Sequence, residues 1–193
     1  DTALNHAEEL LLDLGALEGE AGQTAITELG RRMLAFPVHP RYARMLLAAQ
    51  EYGCVYQACL VAALTQGHDL LLRNPGRDVA AAREDLFGDK SASDFWILMR
   101  AWNYATQNQF RMDALGKLGI HGVTARQVGP LLEQFLRIAK EEGLEVEAGE
   151  VKLQALQKCI LIGFSDRVGR MDQGTLRCEL VHGRRGTLAR ESV

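Results

Sequence analysis

The sequence predicts a mainly α protein that turns to β character only near its C-terminal end. Three observations predict it. Apolar residues recur at helical spacing through most of the chain, beginning with Leu4, Ala7, Leu11 and Leu14. Aromatics are only 6% of the residues while Ala and Leu are abundant, a mix that favours helix over sheet. After Gly163 the segments shorten and are punctuated by Gly174, Gly183 and Gly186. At 193 residues the chain can bury one sizeable core, or build two or three small modules.

The first helix ends at Gly15, a suitable C-terminal stop. Gly19 and Gly22 bracket a turn, and Thr27 can cap a short helix carrying Leu29, Met33 and Leu34. Helix, Gly-containing turn and helix is the grammar of a small helix-turn-helix or winged-helix unit. Pro37 closes it, and Pro40 opens a helix through Met45, Leu46 and Ala49 that Gly53 ends. The next helix, Cys54 to about Gln66, is apolar on every side, so it is expected to be buried among other helices. Residues Gly67–Gly76 read as a loop broken at Asn74-Pro75-Gly76, followed by a short helix at Asp78–Phe87. Ser91-Ala92-Ser93-Asp94 fits a capping box opening a long helix with Phe95, Leu98, Met99 and Trp102 on one stripe. A further helix is expected from Gln109 to Leu118. A second capping box at Thr124-Ala125-Arg126-Gln127 would start a helix ending at Gly143. Val151–Ile162 is amphipathic. Asp166–Met171, Thr175–Val181 and Thr187–Arg190 read as strands.

The net charge of −3 hides local asymmetry. Asp1–Glu20 holds six acids and no Lys or Arg; Glu28–Gln50 holds four arginines and one acid; Ser165–Val193 holds six arginines and four acids. The first Arg cluster (Arg31, Arg32, Arg41, Arg44) suits contact with a nucleic-acid backbone, because the guanidinium fork matches phosphate. The bland alternative is a solvated helix face, or ion pairs with the acidic first helix. The second cluster (Arg167, Arg170, Arg177, Arg184, Arg185, Arg190) suits a basic groove for single strands, although Phe164 is the only aromatic nearby to stack on.

Several chemistries are excluded. The sequence has no Gly-x-x-x-x-Gly-Lys-Ser/Thr phosphate loop, no Gly-x-Ser-x-Gly and no His-Glu-x-x-His, so it carries no self-contained catalytic site. Gly183-Arg184-Arg185-Gly186 is read as a β-turn. Cys54, Cys59, Cys159 and Cys178 form no Cys-x-x-Cys pair and are expected to be buried, reduced thiols of a cytosolic protein, with no metal site. His39, His68, His121 and His182 are scattered and read as surface or satisfied structural residues. At least one of Trp96 and Trp102 is expected in the core. No stretch is apolar enough to span a bilayer, and no signal peptide is seen. The chain reads as a piece of a longer protein.

Several stretches, in order, resemble the helicase-associated region that follows the two motor domains of DEAH-box RNA helicases. Leu14-Gly15-Ala16-Leu17, Ile26 to Met33 and Phe36-Pro37-Val38-His39-Pro40-Arg41 are similar to its winged-helix segment. Cys54–Thr65 resembles the next helix, and Ser93-Asp94-Phe95 the opening of its ratchet-like helix. Arg126-Gln127 matches a later pair. Gly163-Phe164-Ser165-Asp166-Arg167-Val168 and Gly183-Arg184 look like the entry to its OB-like domain. His39-Pro40-Arg41 and Asp166-Arg167 look more like bacterial HrpB-type members than like eukaryotic splicing helicases. Residues Arg77–Lys90 and Gly116–Gly122 depart from the family pattern.

The resemblance implies a winged-helix-like unit over 1–37, a ratchet-like helical bundle over 38–162 and the truncated start of an OB-like β-domain over 163–193. It implies an accessory module of an ATP-dependent RNA helicase that helps hold single-stranded RNA against the motor domains. Arg41, Arg44, Arg126, Arg167 and Arg170 are the RNA-facing candidates. ATP and Mg would belong to motor domains outside this chain, which by itself is expected to be inactive and to hold no cofactor. Partners would be single-stranded RNA, the motor domains and, as a further candidate, an activator protein, in a cytoplasmic setting. The rival readings are a winged-helix DNA-binding regulator and a helical protein-interaction scaffold.

Overall fold

The computed structural model describes residues 2–20, 22–88, 93–150, 152–189 and 192. Ser91 and Ala92 of the first capping box, Val151 and Arg190 lie outside the described residues. In chain order the elements are α1 (Thr2–Asp13), β1 (Leu17–Glu20), β2 (Gln23–Ile26), α2 (Glu28–Met33), α3 (Pro40–Tyr52), α4 (Val55–Thr65), α5 (Arg77–Phe87), α6 (Asp94–Gln107), α7 (Met112–Lys117), α8 (Gly122–Glu141), α9 (Leu153–Gly163), β3 (Gly169–Met171), β4 (Arg177–Leu180) and β5 (Arg185–Thr187). The protein is thus mainly α, with a short antiparallel β segment at the C-terminal end.

Two compact units divide the chain: Asp1–Cys59 with Phe135–Leu188, and Leu60–Gln134 with Ala189–Val193. In the first unit, the expected turn between Gly19 and Gly22 is the tip of a hairpin. β1 and β2 pair from Leu17↔Ile26 to Glu20↔Gln23. Thr27 caps α2 as predicted: its Oγ1 accepts from the Gly30 N–H at 2.9 Å and donates to the Gly15 carbonyl at 2.7 Å. α3 starts at Pro40 and ends at Gly53, whose φ of +63° is the left-handed conformation that only Gly adopts freely. Its inner face (Ala43, Met45, Leu46, Ala49) packs on α9 around Leu156 and Cys159. There Cys54 and Cys159 place their sulfurs 3.4 Å apart. Gln57, also buried, donates to the Gly149 carbonyl at 3.0 Å.

The second unit holds α5, α6 and α7 with the C-terminal part of α4 and the N-terminal part of α8. Its core includes Leu60, Leu64, Leu70, Phe87, Met99, Leu115, Ile120 and Val128. As the sequence predicts, the run Ala58–Leu64 of α4 is buried on all sides. Burial pushes the Cys59 thiol up to about 12. Arg83 on α5 donates to the carbonyls of Leu118, Leu72 and Gly119 at 2.7, 3.1 and 3.0 Å, pinning the loop that carries the Leu71↔Ile120 bridge.

Five expectations need correction. α7 starts at Met112, not Gln109, because Gln109 and Phe110 adopt positive φ and cannot continue a helix. The Thr124 capping box is not used: α8 already begins at Gly122, with the Ala125 N–H bonded to the His121 carbonyl at 2.8 Å. Neither Trp96 nor Trp102 is fully buried; Arg100 lies over Trp96 at 5.0 Å, and Trp102 donates to the Ala125 carbonyl at 3.2 Å. The last strand is Arg185–Thr187, two residues earlier than expected. A 3-10 turn at Val181–Gly183, and not a β-turn over Gly183–Gly186, leads into it.

Candidate nucleic-acid interface

Three arginines of the first unit meet at one carboxylate. α9 ends at Gly163, where a Cβ would lie 2.5 Å from the Arg41 carbonyl oxygen and 2.8 Å from the Met45 Cβ, so Gly is what lets α9 reach α3 this closely. The Phe164 ring sits edge-on to Tyr42 at 5.1 Å. A 3-10 turn over Ser165–Arg167 then turns Asp166 inward, leaving it 4% exposed. Its carboxylate accepts from Arg41 Nε at 2.8 Å (Oδ1) and Arg41 Nη2 at 2.5 Å (Oδ2). Both oxygens thus receive the planar guanidinium fork, the strongest geometry for such a pair.

Two more guanidinium groups converge on Oδ2. Arg167 Nε and Arg184 Nη2 each lie 3.4 Å from it, and Arg184 also donates to the Asp166 carbonyl at 3.3 Å. The hydrogen bond from Arg41 holds the Asp166 carboxyl below the usual carboxylate range. Burial opposes this, and the charges of Arg41, Arg167 and Arg184 add to it. Asp166 in turn raises Arg41.

His39 caps α3 beside this pair. Its Nδ1 is 3.3 Å from the Arg41 N–H and its Nε2 is 3.2 Å from Arg41 Nη1. A neutral imidazole has one acceptor nitrogen, so each tautomer makes one of these bonds and the imidazolium makes neither. Burial lowers the His39 pKa, and the charges of Arg41 and Arg167 lower it further, with Asp166 opposing. The structural reading of this histidine therefore holds.

Beyond the turn, β3, β4 and β5 form an antiparallel sheet with one polar face. The register sets Arg170, Glu179 and Arg185 side by side, with Arg177 two residues along on the same face. Arg170 is 86% exposed and its Nη2 is 3.4 Å from Glu179. A cleft of about 520 Å³ opens on this face, lined by Asp172, Arg177, Glu179 and Arg185.

The five candidates separate clearly. Arg41 and Arg167 meet at Asp166, and Arg170 follows on β3. Arg44 is half-buried and its Nε donates to the Leu14 carbonyl at 3.1 Å. Arg126 belongs to the second unit, exposed on α8, and donates to the Phe110 carbonyl at 2.9 Å. In the first Arg cluster, Arg31 pairs with the exposed Glu28 of its own helix, at 3.6 Å. Sequence reasoning assigned no role to Asp166, whose partner Arg41 is 125 residues away, and left Arg184 out of the candidates. The signal for Arg184 was its place just after Gly183, where a turn projects it. Among the described residues no group of three or more His, Cys, Asp or Glu could hold a metal ion, and no helix is long and apolar enough to cross a membrane.

A helix, a hairpin and a short capped helix, followed by a helical domain, define a winged-helix unit joined to a bundle. Residues 7–38 match the winged-helix form of the helicase associated domain (HA2), and residues 39–114 match its ratchet-like form. The chain belongs to this helicase-associated domain family. It is 28% identical to the ATP-dependent RNA helicase HrpA of Escherichia coli, over 84% of this chain and 13% of that protein. It is 26% identical to the ATP-dependent RNA helicase DHX33 of Drosophila melanogaster, over 87% of this chain and 24% of that protein. A shorter match, 42% identical over 33% of this chain, is to the probable ATP-dependent RNA helicase DHX37 of Homo sapiens. The chain therefore spans about an eighth to a quarter of the first two relatives' lengths. These likenesses speak for the family and not for the HrpB type in particular.

Proposed function

We propose that this chain is the accessory, RNA-holding part of an ATP-dependent RNA helicase. It keeps single-stranded RNA against motor domains of the same protein, which bind ATP and Mg and hydrolyse the nucleotide. The helicase names of the relatives support the class. The observation that carries the RNA role is the surplus of exposed guanidinium at the C-terminal sheet. Among the described residues there, Arg167, Arg170, Arg177, Arg184 and Arg185 stand with the acids Asp166, Asp172 and Glu179. Contacts from such groups to phosphates carry no sequence information, which suits a protein that must tolerate any sequence.

Within this reading 1–37 acts as the winged-helix-like unit, 38–162 as the ratchet-like bundle and 163–193 as the start of an OB-like domain. The location is cytoplasmic. Arg167 and Arg170 touch RNA directly and Arg126 adds an exposed donor on α8. Arg41 and Arg44, bonded within the protein, contribute by fixing the elements around them. A DNA-regulator role finds no support in α2, which is six residues long and buries Gly30 and Met33.

The test is fluorescence anisotropy of a labelled oligouridylate and a mixed-sequence RNA with this chain across a salt series. The expected result is weak binding, similar for both RNAs, with log Kd rising along log salt by roughly 0.7 per phosphate contact. Absence of salt-dependent binding, tighter binding to one duplex DNA sequence, or ATP turnover by this chain alone would each overturn the proposal.

A further inference from the structure

We infer that Arg167 and Arg184, gathered on the Asp166 carboxylate with His39 and Arg41 behind them, form a seat for one phosphate group of the RNA backbone. This rests on the RNA reading above and narrows it to a single site.

The case starts from how the carboxylate is used. Arg41 already takes both of its oxygens, at 2.8 and 2.5 Å. Arg167 and Arg184 nevertheless come to the same Oδ2, at 3.4 Å each, so their nitrogens lie within twice that distance of each other. That approach is longer than the 2.7–2.9 Å usual for charge-assisted bonds. Three guanidinium groups face one carboxylate, leaving two formal positive charges unbalanced among the described residues. Arg41 is 11% exposed, but Arg167 and Arg184 are 57% and 48% exposed and keep donors toward solvent. The Arg167 side chain makes only this ion pair among the described residues.

Like charges held this close call for an anion, and one with several oxygens can accept from both forks at once. A phosphodiester fits: one negative charge and two free oxygens. The neighbouring sheet favours a polyanion over an isolated carboxylate. Arg170, Arg177 and Arg185 share one face of it, ready for further phosphates of the same strand. Arg41 is here a positioning residue. It neutralises Asp166 and holds it still, and Asp166 in turn aims Arg167 and Arg184.

His39 reports on the seat. Burial lowers its pKa most, and the charged groups that act on it are Arg41, Arg167 and Asp166. An added anion offsets the two cations, so its pKa should rise by roughly half a unit to one unit. The experiment follows the His39 ring proton by NMR during pH titration of this chain, assigned through His39→Gln. Titrations in chloride, in inorganic phosphate at equal ionic strength, with an oligouridylate and with oligoglutamate are compared. Anisotropy is measured in parallel on Arg167→Gln, Arg184→Gln and the charge-preserving Arg184→Lys.

The expected result is a His39 shift with phosphate and with RNA, and RNA binding weakened about three- to tenfold by each Gln variant. Arg184→Lys should lose less. RNA binding that leaves His39 unmoved and ignores both Gln variants overturns the seat while the RNA role stands. A His39 shift with inorganic phosphate but no RNA binding supports the seat as an anion site and overturns the RNA role. No shift and no binding overturns both. Oligoglutamate binding as tightly as RNA overturns the assignment to phosphate.

Discussion

Replacing Asp166 with Asn removes one negative charge and almost no volume, so its cost reads the buried ion pair directly. In the wild type, the Asp166 and Arg41 side chains are 3% and 11% exposed and share two hydrogen bonds. At an effective dielectric of about 20, unit charges roughly 4 Å apart attract by about 4 kcal/mol. Removing one member of such a pair typically costs about 3–5 kcal/mol, since the other charge stays buried without a counterion. Asn retains a carbonyl acceptor for one guanidinium N–H, which puts the expectation near the lower end, about 3 kcal/mol. Two partly exposed cations, Arg167 and Arg184, also lose their anion and add under about 1 kcal/mol each. For a chain of this size about 3 kcal/mol lowers Tm by roughly 6–12 °C. The assay is thermal and urea unfolding followed by circular dichroism, with Arg41→Met and Arg41→Met/Asp166→Leu alongside. The double variant replaces both charges with apolar groups and should recover much of the loss. The pH profile supplies the sign. Because the folded Asp166 pKa is depressed, its stabilisation is complete above the unfolded value of about 3.9 and is lost as pH falls through the folded one. The wild-type advantage over Asp166→Asn should therefore be flat at neutral pH and shrink in acid. If Asp166→Asn melts with the wild type at pH 7, or if the double variant is worse than either single one, the pair does not hold the unit together as described.

Three further expectations follow from single contacts. Thr27→Ala should cost about 1 kcal/mol in urea unfolding, because the Gly30 N–H loses its cap and the Gly15 carbonyl a donor. Gly163→Ala should destabilise by about 1–3 kcal/mol, since the new methyl meets the Arg41 carbonyl and Met45 Cβ at contacts real Cβ atoms do not make; a neutral result would mean α3 and α9 are looser than described. Arg83→Met should leave the carbonyls of Leu72, Leu118 and Gly119 short of a donor and cost about 2 kcal/mol, visible as faster amide exchange at Leu72 and His121.

The parts legible in the sequence were those governed by local chemistry. Pro40 and Gly53 fix both ends of α3 through their own backbone preferences, and Thr27 announces α2 through its hydroxyl. The all-apolar α4 could only be interior. What escaped depends on contacts made from elsewhere. The β1–β2 hairpin has no alternating apolar pattern; it closes because the Thr27 N–H bonds the Ala16 carbonyl at 3.0 Å and Glu8 reaches Thr24 Oγ1 at 2.8 Å. α8 starts at Gly122 and not at its capping-box sequence because the preceding residue is already held, the His121 N–H bonding the Leu70 carbonyl at 2.9 Å. The candidate site divides in the same way. The excess of arginine was visible as composition, whereas the choice of Arg41 as a buried tie and Arg167 as an exposed one is made by Asp166, a distant acid with no local pattern.

The C-terminal sheet needs that tie more than the helices do. None of the residues of β3, β4 or β5 is buried, and Met171, Leu176 and Leu188 remain about half exposed. Three strands of three or four residues with so little covered surface are marginal on their own. Their root is the short stretch where the Val181 N–H bonds the Val168 carbonyl at 3.3 Å and Arg184 reaches the Asp166 carbonyl. Asp166 thus joins the sheet's base to α3 through Arg41 with a pair that excludes water. The proposed role of holding a charged strand gains from such an anchor, because guanidinium groups on a loose sheet would have to order the sheet each time they bind. With the root fixed beforehand, binding as proposed orders mainly side-chain rotamers such as those of Arg167, Arg170 and Arg184. On the proposed RNA-holding role, the Arg41 fork, bonded to Asp166, contributes through the order it imposes on its neighbours.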